Sequence, residues 1–297
     1  MFFSSCTGST KSRFQPEKYF TGNLLPLGQA IYDDDTKAVK RLITQKDISV
    51  DTADIKYGYC LLLYAINAES KSVVKTLLEL GANPNQLSIT KVYERNNPNP
   101  VRTPHRYPLT NAINKEDLFY TKILLQYGAD PNLGNPLHAA ITNAPEKSVF
   151  KMFDLLLEHG SNINALDRNG KTPVFLSAFI QRTDYVNYFI DHGANIHIPD
   201  NRNETVAWQI QEIIDKNKNI SKEGREKFME RIQPTINRLE ARGVKFPVEK
   251  PKAPKPADET APVDENEDKP KEQAQHLQQP GKEKTWTMFF DEDEDVL

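Results

Sequence analysis

One nine-residue segment recurs four times along this 297-residue chain, and that recurrence narrows the choice of fold more than any other feature. It first reads Leu77-Leu78-Glu79-Leu80-Gly81-Ala82-Asn83-Pro84-Asn85, and returns as Leu124-Leu125-Gln126-Tyr127-Gly128-Ala129-Asp130-Pro131-Asn132. The third copy runs from Leu156 to Asn164 around Gly160, and the fourth from Phe189 to His197 around Gly193. Successive glycines are 47, 32 and 33 residues apart. Each copy predicts the end of an amphipathic helix, with paired apolar residues on its buried side. The glycine supplies the left-handed turn that closes the helix, and the Asn/Asp-Pro or Asn-Ile that follows leads the chain away from the helix axis.

A second element precedes each of these helices. It reads Tyr57 to Ile66, Tyr107-Pro108-Leu109-Thr110-Asn111-Ala112-Ile113, Asn135-Pro136-Leu137-His138-Ala139-Ala140-Ile141, and Asn169 to Ala178 with Thr172-Pro173 inside it. Proline in a first helical turn loses no hydrogen bond, and the small alanines let neighbouring units approach closely. The expected unit is therefore a helix, a tight turn, a second helix and a loop. Degenerate versions flank the array: Leu24 to Ile31 with Val39 to Ile43 at the start, and Glu204 to Asn217 with Lys222 to Arg242 at the end, closed by Gly243. Atypical outer units are what a solenoid needs at its two exposed ends.

These residues resemble the ankyrin repeat, whose period is about 33 residues with a Thr-Pro-Leu-His-x-Ala signature and a Gly-Ala turn. Asn135 to Ala140 and Gly170 to Pro173 carry the resemblance most closely, and it covers roughly residues 23–243. It implies an all-α ankyrin-repeat solenoid of helix-turn-helix repeats with finger loops, a role in protein binding, no cofactor and no catalysis. The domain boundaries expected are a leader or tether over 1–22, the repeats over 23–243, and a tail over 244–297. Phe14, Tyr19 and Phe20 are expected to staple the tether to the first helix pair.

The spacing of 47 leaves about 14 extra residues between Asn85 and Tyr107. By the resemblance this is a finger loop beside the concave face, where insertions often serve binding. It carries Lys91, Arg95, Arg102 and Arg106 against one acid, Glu94, with Tyr93 and His105 among them. Arginine and aromatic residues are favoured interface anchors. The candidate partner-binding residues are Tyr93, Arg95, Arg102, His105 and Arg106, joined by Arg168 and Lys171 in a later finger. A smaller lengthening at Asn143 to Ser148 is expected only to widen a turn.

Several chemistries find no footing. The sequence has no glycine-rich phosphate loop, no Gly-x-Ser-x-Gly and no His-Glu-x-x-His. Its two cysteines, Cys6 and Cys60, supply neither a disulfide framework nor a cysteine-based zinc site. His138 sits at the signature histidine, where a structural hydrogen bond is expected, and His159 and His192 precede capping glycines. Asp33-Asp34-Asp35 looks like a metal cluster, but it falls in a turn before a helix, where negative charge is favourable. The expectation is no metal.

The charge is uneven. Residues 251–297 hold 13 acidic against 6 basic residues, whereas the preceding 250 hold 32 basic and 28 acidic. So mild an excess in the body does not point to nucleic acid. The tail composition predicts disorder, ending in Trp286, Phe289 and Phe290 before an acidic run, a pattern suited to a short linear motif. At the other end, Cys6 follows two serines and an apolar pair, like the cysteine of a bacterial lipoprotein signal, although no basic or extended apolar region precedes it.

The expected function is a monomeric, non-enzymatic module that grips one protein partner. Lipidation of Cys6 would place it in the bacterial envelope or periplasm, touching membrane only through that anchor. Bacterial ankyrin lipoproteins of this look resemble immunity proteins that neutralise type VI secretion effectors such as lipases, so a cognate toxin is the expected partner there. The alternative is a cytoplasmic adaptor, or a secreted effector acting on host proteins.

Overall fold

The computed structural model describes residues 14–90 and 105–252. Helices alternate between two layers. The first helix of each unit is α1 (Leu25–Tyr32), α3 (Leu61–Asn67), α5 (Pro108–Ala112), α7 (Pro136–Asn143), α9 (Pro173–Phe179) and α11 (Val206–Lys216). The second is α2 (Thr36–Gln45), α4 (Lys71–Glu79), α6 (Phe119–Gln126), α8 (Val149–Glu158), α10 (Thr183–Asp191) and α12 (Lys222–Glu240). First helices stack on first helices from α1 to α11 in turn, while α2 packs on α4 and α4 on α6. The solenoid expected from the repeats is present.

Each second helix stops for the same reason. Gly81, Gly128, Gly160 and Gly193 have φ between 86° and 91°, and no atom stands where a Cβ would go, so the backbone conformation alone calls for glycine. The next residue then reaches back five positions: the N–H groups of Ala82, Ala129, Ser161 and Ala194 donate to the carbonyls of Leu77, Leu124, Leu156 and Phe189, each at 2.9 Å. Those four residues are fully buried, so one position both anchors the core and ends the helix. Gly243 repeats the geometry after α12.

Between the helices of one unit, non-glycine residues adopt the left-handed turn: Asp34, Glu69 and Gln181, with φ from 56° to 61°. The three aspartates expected to be structural are assigned here. Asp35 caps α2 by accepting from the Ala38 N–H (2.9 Å), and Asp34 accepts from the Val73 N–H (2.9 Å) in the next unit.

The turns after the second helices are tied to one another by a relay of side chains. Asp51, Asn85, Asn132 and Asn164 accept from the backbone N–H of Asn83, Asp130, Asn162 and Asn195, at 2.6–2.8 Å. Asn85 and Asn132 also donate to the carbonyls of Gly128 and Gly160. The acceptor of one unit thus holds the turn of the next.

Two regions differ from expectation. The array is not purely helical: β1 (Ser88–Ile89) pairs antiparallel with β2 (His105–Arg106), Ser88 opposite Arg106, and this stem carries the inserted finger. Residues 244–252, grouped with the tail by composition, lie against the last unit. Val244 and Phe246 pack on the core, the Val248 N–H donates to Gln211 Oε1 (3.1 Å), and Asn203 donates to the Lys252 carbonyl. At the opposite end Phe20 is buried against the ring of Tyr64, which also donates from its hydroxyl to the Phe14 carbonyl at 2.5 Å. The stapling by Phe14, Tyr19 and Phe20 takes this form.

Replacing Asn132 with alanine removes two inter-unit hydrogen bonds and is expected to cost about 1–2 kcal/mol. The melting temperature should fall by roughly 2–8 °C with helix content by circular dichroism unchanged. Truncation after Gly243 should lower the melting temperature by a similar few degrees relative to truncation after Lys252, because it strips Val244 and Phe246 from the core; identical melting curves would show that this strap contributes nothing.

Candidate protein-binding surface

Comparable positions of the first helices are those four residues after each N-cap, all buried or half-buried, and those seven after it, about one turn further on. Counted from Cys60, Tyr107, Asn135, Thr172 and Thr205, the earlier series is Tyr64, Asn111, Ala139, Leu176 and Gln209, and the later one is Asn67, Asn114, Thr142, Phe179 and Glu212. Four members of the later series are polar and one is phenylalanine. Phe179 is 46% exposed, and Ile180 beside it is 38% exposed. Leu176, half-buried one turn earlier, and Leu166, exposed in the preceding finger, add apolar surface.

A cation rests on that surface. Lys171 Nζ lies 3.5 Å from the Phe179 ring centroid and 5.9 Å from that of Phe175, a contact of about 0.5–2 kcal/mol depending on exposure. Lys171 is therefore buried rather than offered as a free finger-tip charge. Arg168 is exposed at the tip, where its carbonyl accepts from Asn201 of the following finger (3.3 Å). Of the other expected residues, His105 and Arg106 form β2 of the insert stem. Tyr93, Arg95 and Arg102 lie outside the described residues, as do Cys6, Trp286, Phe289 and Phe290. Phe179, Ile180, Leu176 and Leu166 were not among the expected residues; the signal that marks Phe179 is an apolar residue at a repeat position that is polar in the sister units.

The finger carrying Arg168 and Lys171 is held by its neighbours. Asp167 accepts from the N–H of Asn169 and of Lys171, both at 2.8 Å, and Thr172 caps α9 through the Phe175 N–H. His138 Nε2 donates to the Lys171 carbonyl at 2.8 Å, the structural role expected of it. Its Nδ1 is buried with no partner among the described residues. Burial pushes the imidazole below its ordinary range, against the opposing pull of the Lys171 carbonyl and Asp167.

The comparisons with known proteins agree with this geometry. Residues 109–200 match the family model described as ankyrin repeats (3 copies), and residues 57–89 match the single ankyrin repeat. The body is an ankyrin-repeat domain. A putative ankyrin repeat protein of fowlpox virus, FPV230, is 24% identical over 178 residues, covering 48% of this chain and 88% of its own. Another, R841 of Acanthamoeba polyphaga mimivirus, is 30% identical over 129 residues, 41% of this chain but only 19% of the relative. The crystal structure of EF0377, an ankyrin repeat protein, superposes with a TM-score of 0.51 at 22% identity, over 66% of this chain and 95% of its own. Ankyrin repeats mark a protein-binding module.

Because the folded-state value of His138 is depressed, the unfolded chain takes up its proton first. The contribution to stability is complete above about pH 6.5 and declines as pH falls through that value toward the lower folded one. Melting temperatures compared at pH 7.5 and 5.0 should fall less for His138→Gln than for the parent; equal declines would remove His138 as a cause.

Proposed function

We propose that the chain is a binding scaffold rather than a catalyst, and that it takes one protein partner on the first-helix face around α9 and the adjoining finger. The observation that carries this is the exposed pair Phe179 and Ile180 beside half-buried Leu176, with Phe179 standing where the sister units carry polar residues and with Lys171 and Arg168 alongside. A desolvated aromatic anchor with cationic neighbours is the usual composition of an energetic centre in an interface.

Two finer readings differ in what the partner is. A lipid-anchored immunity protein facing a secreted toxin depends on Cys6, and the viral relatives lend it no support. An adaptor acting on cytosolic or host proteins is consistent with those relatives, so we favour it. Metabolic labelling with an alkynyl fatty acid separates the two, since the first requires incorporation that Cys6→Ser abolishes.

Capture by tagged full-length protein from its source cell, read by mass spectrometry, tests the surface itself. Phe179→Ala and Arg168→Glu should each reduce recovery of a stoichiometric partner about tenfold or more, while stability changes by under about 0.5 kcal/mol for Arg168→Glu and by no more than the roughly 0.5–2 kcal/mol of the Lys171 contact for Phe179→Ala. Undiminished recovery with both variants would place binding elsewhere.

A further inference from the structure

The charged groups around Phe179 divide into those the fold uses and those it leaves over. The carboxylates of this finger, of the next finger and of α11 are all engaged. Asp167 accepts from two backbone N–H groups of its own turn. Asp200 accepts from the N–H groups of Arg202 and Glu204 and pairs with the Arg202 side chain, while Glu204 accepts from Arg202 and Gln209. Glu212 and Asp215 pair with Lys216 and Lys218. The cations left over are Arg168 and Lys171, neither of which has a carboxylate in reach among the described residues.

Lys171 is the more informative of the two. Its side chain lies along α9 past Phe175, and its ammonium rests 3.5 Å from the centre of the Phe179 ring. This cation is therefore held in one place before any partner arrives. It is not sealed there: Nζ donates to no oxygen among the described residues and still touches solvent. A surface lysine loses rotamer freedom when it enters an interface, and here most of that loss has occurred on folding. The ring itself stays half exposed beside Ile180. A partner side chain that covers Phe179 also keeps water from the ammonium, so an opposite charge set against it gains more than on open surface.

Resting on the reading of this surface as the place where the partner binds, we propose that the partner segment carries an aspartate or glutamate directly beside a large apolar residue. The carboxylate accepts from Lys171 Nζ, in the field of Arg168 from the same finger, and the apolar side chain covers Phe179 and Ile180. An amide in place of the acid keeps a hydrogen bond and loses the charge attraction; a lysine or arginine there is repelled. Phe179 thus selects for apolar bulk, and Lys171 selects the sign of the charge next to it.

The test offers a random dodecapeptide display library to immobilised full-length protein and sequences what is retained. The parent protein should enrich peptides in which Asp or Glu adjoins Leu, Ile, Met, Phe or Trp. Synthetic copies, followed by fluorescence anisotropy, should bind about tenfold more weakly once the acid is changed to its amide, and the acidic form alone should weaken as salt rises from about 50 to about 300 mM. Lys171→Met, which keeps the stem, should cut the difference between acid and amide to about twofold. Lys171→Glu, accepted only with a cooperative melting curve, should enrich Lys or Arg in the place of the acid. If neither variant folds, the amide comparison and the salt dependence of the parent decide. Enrichment of apolar peptides without an acid would overturn the proposal, as would an acid preference that survives Lys171→Met, or a failure to enrich any peptide that Phe179→Ala releases. If partner capture depends on Phe179 while the retained peptides carry no acid, the charge pairing falls and the surface reading stands. If acidic peptides bind as expected while capture ignores Phe179→Ala, the placement of the partner falls and the charge preference stands.

Discussion

The four inner units of this array depend on one arrangement: a left-handed glycine turn followed by a backbone N–H that is caught by an asparagine or aspartate of the unit before. Neither half suffices alone. The glycine closes its helix and aims the chain at the neighbour, but a turn in water has many alternatives. The relay from Asp51 through Asn85 and Asn132 to Asn164 selects one of them, because each acceptor is itself fixed by the turn it belongs to. A second acceptor within each turn reinforces this, as when Asn83 and Asp130 accept from the N–H two residues on. Registration between units is thereby set at their edge, and the buried leucines and phenylalanines need only fill space.

That division explains the ends. A unit without a neighbour lacks half of its hydrogen bonds and exposes one side of its core, so the chain covers each end with material outside the repeat. At the start, Phe20 fills the notch left by Gly28, where a Cβ would approach the ring to 2.4 Å, and Tyr64 ties down the Phe14 carbonyl. At the finish α12 is twice the length of its counterparts, and the chain then returns along α11 with Phe246 and Val248. Arg238 of α12 adds a forked pair with Asp191 of α10, 2.9 Å at both Nε and Nη2, which holds the carboxyl below its usual range. Exposed as it is, that pair fixes orientation more than it stabilises.

The helices, their order, the capping glycines and the structural place of His138 and the Asp33–Asp35 turn were legible because each rests on local chemistry repeated several times. The relay was not. Asn85 and Asn132 read as ordinary turn residues, and only stacking reveals that their side chains serve the next unit. The two-stranded stem was hidden for a similar reason: two residues on each side of an insertion carry no period. Lys171 shows the limit for binding residues. Its position in a finger implied a free charge, but a phenylalanine eight residues on captures its stem and head, and such pairings depend on the geometry of the turn between them.

The binding surface follows from what the scaffold leaves undecided. Positions that face the core or the relay are constrained in every unit, whereas those seven residues after each first-helix cap vary from Asn67 and Asn114 to Thr142, Phe179 and Glu212. Along this face Tyr64 is buried under the N-terminal segment and Asn67 is bonded to Asn111, whereas Thr142 and Phe179 are open to solvent. Sister positions built to one rule thus differ most where the fold asks least of them. Burial of Phe179 against a partner would supply affinity with little preference for polar detail, so a choice among apolar partners falls to the polar positions around it, where a mismatched group would be left unpaired.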